Sequence, residues 1–98
     1  KSLLYSGDTS PCQSLVKLGK EVDLAIIECS YSDSATLRGE HLYPLLAGKL
    51  GSEMEAKKVI LTHLYPECEC REEEMLRQAK REFAREILIA EDGMRINI

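Results

Sequence analysis

The sequence predicts an α/β fold with a mixed β-sheet and the element order β-α-β-α-β-α-β-β. Short apolar runs of strand length alternate regularly with segments whose apolar residues recur at spacings of three and four. The pair Asp92-Gly93, a turn sequence, separates the last two apolar runs. We therefore expect a largely parallel sheet with crossover helices and an antiparallel closing strand.

Five short apolar segments predict the strands, and three amphipathic segments predict the helices. The predicted strands are Leu3 to Ser6, Asp23 to Cys29, Val59 to Thr62, Ile87 to Ala90 and Met94 to Ile98. The first helix is predicted from Pro11 to Lys20 after an N-cap at Thr9 or Ser10, the second from Pro44 to about Met54, and the third over 71–83. Gly48 and Gly51 should weaken the second helix. The inward-facing residues are predicted to be Leu15, Val16, Leu18, Leu45, Leu46, Leu50, Met75, Leu76, Ala79 and Phe83.

The composition is typical of one small globular domain. The chain has 98 residues, 44% hydrophobic and 31% charged, with a formal net charge of -4. This acidic balance does not indicate a broad nucleic-acid footprint, and the basic residues of the third helix alternate with glutamates, as on a solvated face. No apolar run approaches the roughly 20 residues of a membrane span, and no signal peptide is visible. We expect a cytoplasmic location and no membrane partner.

The four cysteines are expected to be reduced thiols. Cys29 ends a buried strand and Cys12 opens a helix, and cytosolic domains rarely keep disulfides. The C-x-C sequence of Cys68 and Cys70 has a poor spacing for a zinc site and no second cysteine pair, which favours a polar loop. The chain begins at Lys1 and enters a strand within two residues, so we expect it to be a cut piece of a longer protein.

Four ionisable residues follow strand ends or begin a helix. Asp8 follows the first strand, Glu28 and His63 close the second and third, and His41 precedes the second helix. Each has an ordinary explanation, as an N-cap, a solvated carboxylate or a hydrogen-bonded imidazole. In open α/β sheets, however, chemistry collects outside the carboxyl ends of the strands. Two imidazoles and two carboxylates there are the residue types that bind divalent metals and transfer protons.

These motifs together resemble the C-terminal half of the metallo-β-lactamase-fold hydrolases, and most closely their ribonuclease Z-like branch. The similarity follows the family's order from Leu3 to Ile96. The motifs that carry it are G-D-T at 7–9, I-x-E-C at 26–29, H-x-x-P at 41–44, L-T-H at 61–63 and A-E-D-G-M at 90–94.

The resemblance implies a metal-dependent hydrolase, in particular a phosphodiesterase. Asp8 would bridge two metal ions, zinc in the full-length protein, and His63 would be the last ligand of the second ion. Glu28 and His41 would form the pair that positions the leaving oxygen and donates a proton to it, and metal-bound hydroxide would be the nucleophile. Phosphodiesters or small molecules would be the substrates, and RNA is one possible substrate.

One part of the family pattern is absent. The principal metal motif, H-x-H-x-D-H, belongs to the family's N-terminal half, and this chain has only His41 and His63. Residues 1–98 are therefore expected to form the C-terminal half-domain of an αββα sandwich whose N-terminal half is missing. Alone it should be inactive and associate through the face left by that half. The alternative is a non-catalytic α/β interaction module that associates through an exposed apolar face.

Overall fold

A computed structural model describes residues 1–7, 13–29, 42–62, 64, 68, 70–91, 93 and 95. Strands and helices alternate along the chain, as the spacing of apolar runs predicts. Boundaries differ from the predicted ones by one to three residues, except in the second helix, whose limits agree. The elements are β1 (Leu3–Tyr5), α1 (Gln13–Leu18), β2 (Leu24–Glu28), α2 (Pro44–Met54), β3 (Lys58–Thr62), α3 (Glu72–Lys80) and β4 (Glu86–Ile89).

The four described strands form one parallel sheet in the order β1-β2-β3-β4. Right-handed crossovers between neighbouring parallel strands place all the connecting helices on the same face of a sheet. The predicted closing strand over 94–98 falls almost entirely outside the described residues. Gly93 adopts a turn with a φ of 79°, as the predicted Asp-Gly turn requires of its glycine.

The core lies between this sheet and α2 and α3. Alternate residues of each strand enter it, because successive side chains of a strand point to opposite faces. Fully burying a leucine, isoleucine or valine contributes about 1.5 to 3 kcal/mol, so the layer accounts for most of the favourable term in folding. The strand residues of this core are Leu4, Ala25, Ile27, Val59, Leu61 and Ile87, and the helical ones include Ala47, Leu50, Met54, Met75 and Ala79.

The other sheet face carries an apolar row formed by Tyr5, Ile26, Ile60 and Leu88. These residues are neighbours in the strand register, one from each strand. Ile60 is buried and Ile26 and Leu88 are half-buried, whereas Tyr5 is 62% exposed. The sheet therefore presents apolar side chains on both faces, a pattern typical of parallel sheets that are covered on both sides.

Polar contacts join the strands at their amino-terminal ends. Asp23, just before β2, accepts the N–H of Ser2 at 2.8 Å, and its other oxygen lies 3.1 Å from Nζ of Lys57. The Ser2 N–H and the Lys57 ammonium together lower the pKa of Asp23 to about 2. Lys58 and Glu86, register partners at the start of β3 and β4, form an ion pair at 3.5 Å.

Two glycines of α2 serve a purpose that the sequence does not reveal. A Cβ atom at Gly48 would come within 3.1 Å of the Cα and carbonyl carbon of Ala79, and closer still to its carbonyl oxygen. A Cβ atom at Gly51 would lie 2.7 Å from a methyl group of Val59. Both glycines are buried, so the prediction that they merely weaken the helix is incomplete: they let α2 approach α3 and β3.

The predicted inward faces of the helices are confirmed except at Leu18: Leu15, Val16 and Leu46 are half-buried and pack against the core. Leu18 is 74% exposed, which contradicts its predicted inward direction, because α1 ends there and turns at Gly19 toward β2. Leu50 is buried as predicted, whereas Leu45 and Leu46 are half-buried.

The cysteines also differ in part from expectation. Cys68 is 1% exposed and packs in the core, so the predicted polar loop is wrong at this position. Among the described residues Cys29, Cys68 and Cys70 form no disulfide, which agrees with the predicted reduced state, and Cys12 lies outside them. The described helices reach at most 11 residues, too short to cross a bilayer.

Candidate active site

The carboxyl end of β2 carries a fully buried carboxylate. Glu28 is the last residue of β2, the strand that lies between β1 and β3 in the sheet. Its side chain has no exposed surface. It is the one buried charged or polar residue in the part of the chain that the structure describes. Burying a carboxylate is costly unless hydrogen bonds compensate it, so its partners define what the site can do.

Glu28 is joined to the start of α2 by a hydrogen bond. The N–H of Leu42 donates to Oε1 of Glu28 at 2.8 Å, across 14 residues of sequence. Leu42 is itself fully buried and stands two residues before the first helical residue, Pro44. The carboxylate therefore fixes the chain immediately after position 41. No buried side-chain oxygen or nitrogen of the described residues lacks a hydrogen-bond partner.

Ser6 supports the same region from β1. Its hydroxyl oxygen accepts the backbone N–H of Glu28 at 3.0 Å and donates to the carbonyl of Gly7 at 2.9 Å. One hydroxyl can do both, since it has one donor and two lone pairs. The backbone N–H of Ser6 donates to the carbonyl of Ile26, and that of Cys29 donates to Thr62, so sheet bonding continues past the strand ends.

The other three candidate residues, Asp8, His41 and His63, lie outside the described residues. Their neighbours in sequence are described: β1 ends at Tyr5 and β3 ends at Thr62, directly before His63. Adjacent strands are about 4.8 Å apart, and β3 ends two residues further along than β1 in register, so their last residues are about 12 Å apart with β2 between them. Of the four candidates the structure describes Glu28 alone.

Within the described residues no group of three or more histidine, cysteine, aspartate or glutamate side chains could hold a metal ion. Cys68 and Cys70 do not form one: the first is buried in the core and the second is exposed. The two predicted metal ligands are outside that part of the chain.

A groove of about 1180 Å³ opens beside the carboxyl ends of β3 and β4. It begins at Thr62 and runs between the start of α3 and the end of β4. Its described walls are partly apolar, and three glutamates line it. The lining residues used below are Thr62, Leu76, Ile89, Glu72, Glu73 and Glu91.

Comparison with known proteins gives related sequences and a related fold. The chain is 32% identical over 101 residues to a protein named ribonuclease Z from Myxococcus xanthus; the match covers all of this chain and 33% of that protein. Over 66 residues it is 38% identical to a Caenorhabditis elegans protein named zinc phosphodiesterase ELAC protein 2 homolog, covering 64% of this chain and 8% of that one. The Bacillus subtilis metallo-β-lactamase-fold protein YhfI superposes with a TM-score of 0.84 at 29% identity, covering 94% of this chain and 38% of YhfI. In sequence the chain is similar to ribonuclease Z proteins, and in fold it is similar to the metallo-β-lactamase-fold structure. No family model matches.

The chain spans about a third of the length of the ribonuclease Z relative that it matches end to end. The same holds for the superposed metallo-β-lactamase-fold structure, of which it covers 38%. The resemblance and the fold class predicted from the sequence are thus confirmed.

Sequence reasoning missed two features of this metallo-β-lactamase-fold site. Ser6 was assigned only to the end of a strand, although a hydroxyl directly before G-D-T is a common turn-forming residue. The bond from Leu42 to Glu28 has no local signal, because its two partners are 14 residues apart.

Proposed function

We propose that this chain forms part of the active site of a metal-dependent phosphodiesterase of the ribonuclease Z-like kind. The observation that carries the proposal is the burial of Glu28 at the carboxyl end of β2, with its carboxylate bonded to the chain that starts α2. Catalytic groups of α/β enzymes collect at this edge of a parallel sheet, and buried acidic groups are typical members of such sites.

In this proposal Asp8 and His63 are metal ligands. Carboxylate oxygen and imidazole nitrogen suit zinc and similar divalent ions, and a carboxylate has two oxygens with which to contact two ions. Both residues follow strands that flank β2, three residues after β1 and directly after β3. Bound ions would activate the attacking water and offset charge on the phosphate. Two ligands do not complete a zinc site, so the proposal requires further ligands besides Asp8 and His63.

Glu28 and His41 are proposed to act together on the leaving oxygen. His41 immediately precedes Leu42, whose N–H is held by Glu28. A carboxylate has lone pairs for several donors, so it can accept the Leu42 N–H and a ring N–H of His41 together. An imidazole oriented in this way donates a proton to a leaving oxygen, the usual role of histidine as a general acid.

The apolar row on the second sheet face is proposed to pack against a second sheet of the same protein. About two-thirds of the ribonuclease Z relative lies outside the part that matches this chain. Two sheets packed face to face lie about 10 Å apart and bury alternate residues of each strand, the geometry that Tyr5, Ile26, Ile60 and Leu88 offer.

The test compares four variants of the purified protein, expressed with all the sequence that flanks these residues in its gene. Asp8→Ala and His63→Ala should lower both the zinc content and the hydrolysis of bis(p-nitrophenyl) phosphate. Glu28→Gln and His41→Ala should keep the metal and lower kcat by roughly 10²- to 10⁴-fold, the usual contribution of general acid catalysis. The matched control is Glu53→Gln, an exposed glutamate of α2, which should change neither.

Two results would contradict the proposal. Full zinc content in Asp8→Ala and His63→Ala would exclude them as ligands, and wild-type kcat in His41→Ala would exclude it as the acid. The alternative function, a non-catalytic module pairing through its exposed apolar face, is favoured by the exposure of Leu3 and Tyr5. A dimer that forms without metal, takes up no metal and is lost on Tyr5→Ser substitution would establish the alternative instead.

A further inference from the structure

The groove beside β3 and β4 adjoins the proposed metal site. It starts at Thr62, one residue before the proposed ligand His63. Leu76 of α3 and Ile89 of β4, both half-buried, form the apolar part of its wall. A phosphodiester held at the metal site has two substituents, and a groove at this position is open to one of them.

The charge of the groove is negative. Glu72, Glu73 and Glu91 are exposed and line it, and no lysine or arginine does so among the described residues. The surrounding sequence, 62–73 and 88–94, contains six acidic residues and a single arginine, Arg71. A polyanion in the groove would therefore be repelled.

The start of α3 does not reverse this charge. A helix N-terminus carries about half a positive elementary charge and by itself attracts anions. Here the first turn of α3 contains three glutamates, Glu72, Glu73 and Glu74. Glu74 is paired with Arg77 at 2.8 Å. The charge of Glu72 and Glu73 alone exceeds that of the helix dipole about fourfold, so the sum at this end of the groove stays negative.

We infer that the groove accepts an uncharged or cationic substituent of the phosphodiester and discriminates against a polyanionic one, with Glu72, Glu73 and Glu91 as the specificity-determining residues. This inference rests on the proposed function and adds the substrate class. The apolar wall favours a flat or hydrophobic group, and the acidic rim disfavours a run of phosphates.

The experiment measures kcat/KM of the full-length metal-loaded protein for two substrates, bis(p-nitrophenyl) phosphate and a single-stranded RNA 12-mer. The triple variant Glu72→Gln, Glu73→Gln, Glu91→Gln removes the acidic rim. The matched control, Glu21→Gln, Glu53→Gln, Glu82→Gln, removes the same charge from exposed positions that do not line the groove.

The groove variant should raise kcat/KM for the RNA about tenfold at low salt and change that for the small diester less than twofold. Two unit charges about 8 Å apart in water change an equilibrium roughly two- to threefold, so three carboxylates give about tenfold. The gain should shrink in 0.5 M salt, where the screening length falls to a few ångströms. Loss of first-turn glutamates in the triple variant could destabilise α3, so the single variant Glu91→Lys, which lies outside α3, provides a second test. It should also raise kcat/KM for the RNA.

Three outcomes overturn the inference. The first is an unchanged kcat/KM for the RNA in both groove variants. The second is an equal gain in the control triple variant, which would reflect net charge alone. The third is a wild-type kcat/KM that is higher for the 12-mer than for the small diester. A protein that binds metal yet hydrolyses neither substrate would refute the proposed function itself, whereas hydrolysis of the small diester without any groove effect refutes only this inference.

Discussion

Substitution of Gly48 by alanine should destabilise the protein even though alanine is the better helix former. The Cβ atom of the new residue would meet the backbone of Ala79 in α3, with two carbons at 3.1 Å and the carbonyl oxygen closer. Ordinary contacts of this kind begin near 3.4 Å, so the helices must separate by several tenths of an ångström. No side-chain rotamer can relieve the clash, because the obstacle is main chain.

The magnitude follows from two opposing effects. Overpacking of a core costs about 1 to 3 kcal/mol, and replacing a glycine inside a helix by alanine returns about 1 kcal/mol. Since the clash involves backbone atoms, we expect the upper half of the overpacking range and a net loss of about 1 to 2 kcal/mol in the free energy of unfolding. Urea unfolding followed by circular dichroism measures this difference.

The control lies four residues further along the same helix. Ser52 is exposed, so Ser52→Ala changes helix propensity without changing the packing and should stabilise by a few tenths of a kcal/mol. If Gly48→Ala is as stable as the wild type while Ser52→Ala behaves as expected, α2 and α3 do not cross at this distance and the reasoning is wrong.

Three further substitutions test other contacts. Asp23→Asn should be less stable than the wild type at pH 7, because folding lowers the pKa of Asp23 to about 2. The difference in the free energy of unfolding should persist above about pH 4 and vanish as the pH falls to about 2. Unfolding curves recorded across this pH range measure it. Glu28→Ala should lower the free energy of unfolding by at least about 1 to 3 kcal/mol, because it leaves the Leu42 N–H unpaired. Glu28→Gln keeps an acceptor for that N–H and should lose less stability. Equal losses in the two variants would mean that this hydrogen bond is unimportant. Leu18→Gln should change the free energy of unfolding, measured by a thermal scan, by less than about 0.5 kcal/mol because Leu18 is exposed. Leu50→Ala, at a buried position, should lose about 2 to 5 kcal/mol. A large loss at Leu18 would contradict its exposure.

The sequence predicts the described elements well because each is signalled locally. The start of α2 agrees with prediction because Pro44 marks its first residue, whereas the left-handed Glu55 that follows its last residue has no such signal in the sequence. The face that α3 buries follows from its spacing of three and four. What the sequence does not reveal is tertiary: nothing near Gly48 indicates that another backbone passes beside it, and Leu18 is turned outward only because α1 ends there.

The candidate site is predicted less completely, for a related reason. The residue types and their positions after strands are visible in the sequence, and Glu28 does lie at the carboxyl end of β2. Its complete burial and its bond to Leu42 depend on a residue 14 positions further along the chain, and no local sequence pattern indicates that contact. The roles of Asp8, His41 and His63 stay predictions.

The two ends of the sheet are built in different ways, and this separates stability from function. At the amino-terminal end, exposed or partly exposed charges such as Asp23, Lys57 and the Lys58–Glu86 pair link neighbouring strands, and such pairs contribute modestly and independently. At the carboxyl end, Glu28 is the one carboxylate among the described residues that is withdrawn from water, and burying a charge is a costly way to hold four parallel strands together. Substitutions at the first end should therefore alter unfolding and leave hydrolysis unchanged. A conservative change of Glu28 should lower hydrolysis by far more than its effect on unfolding accounts for.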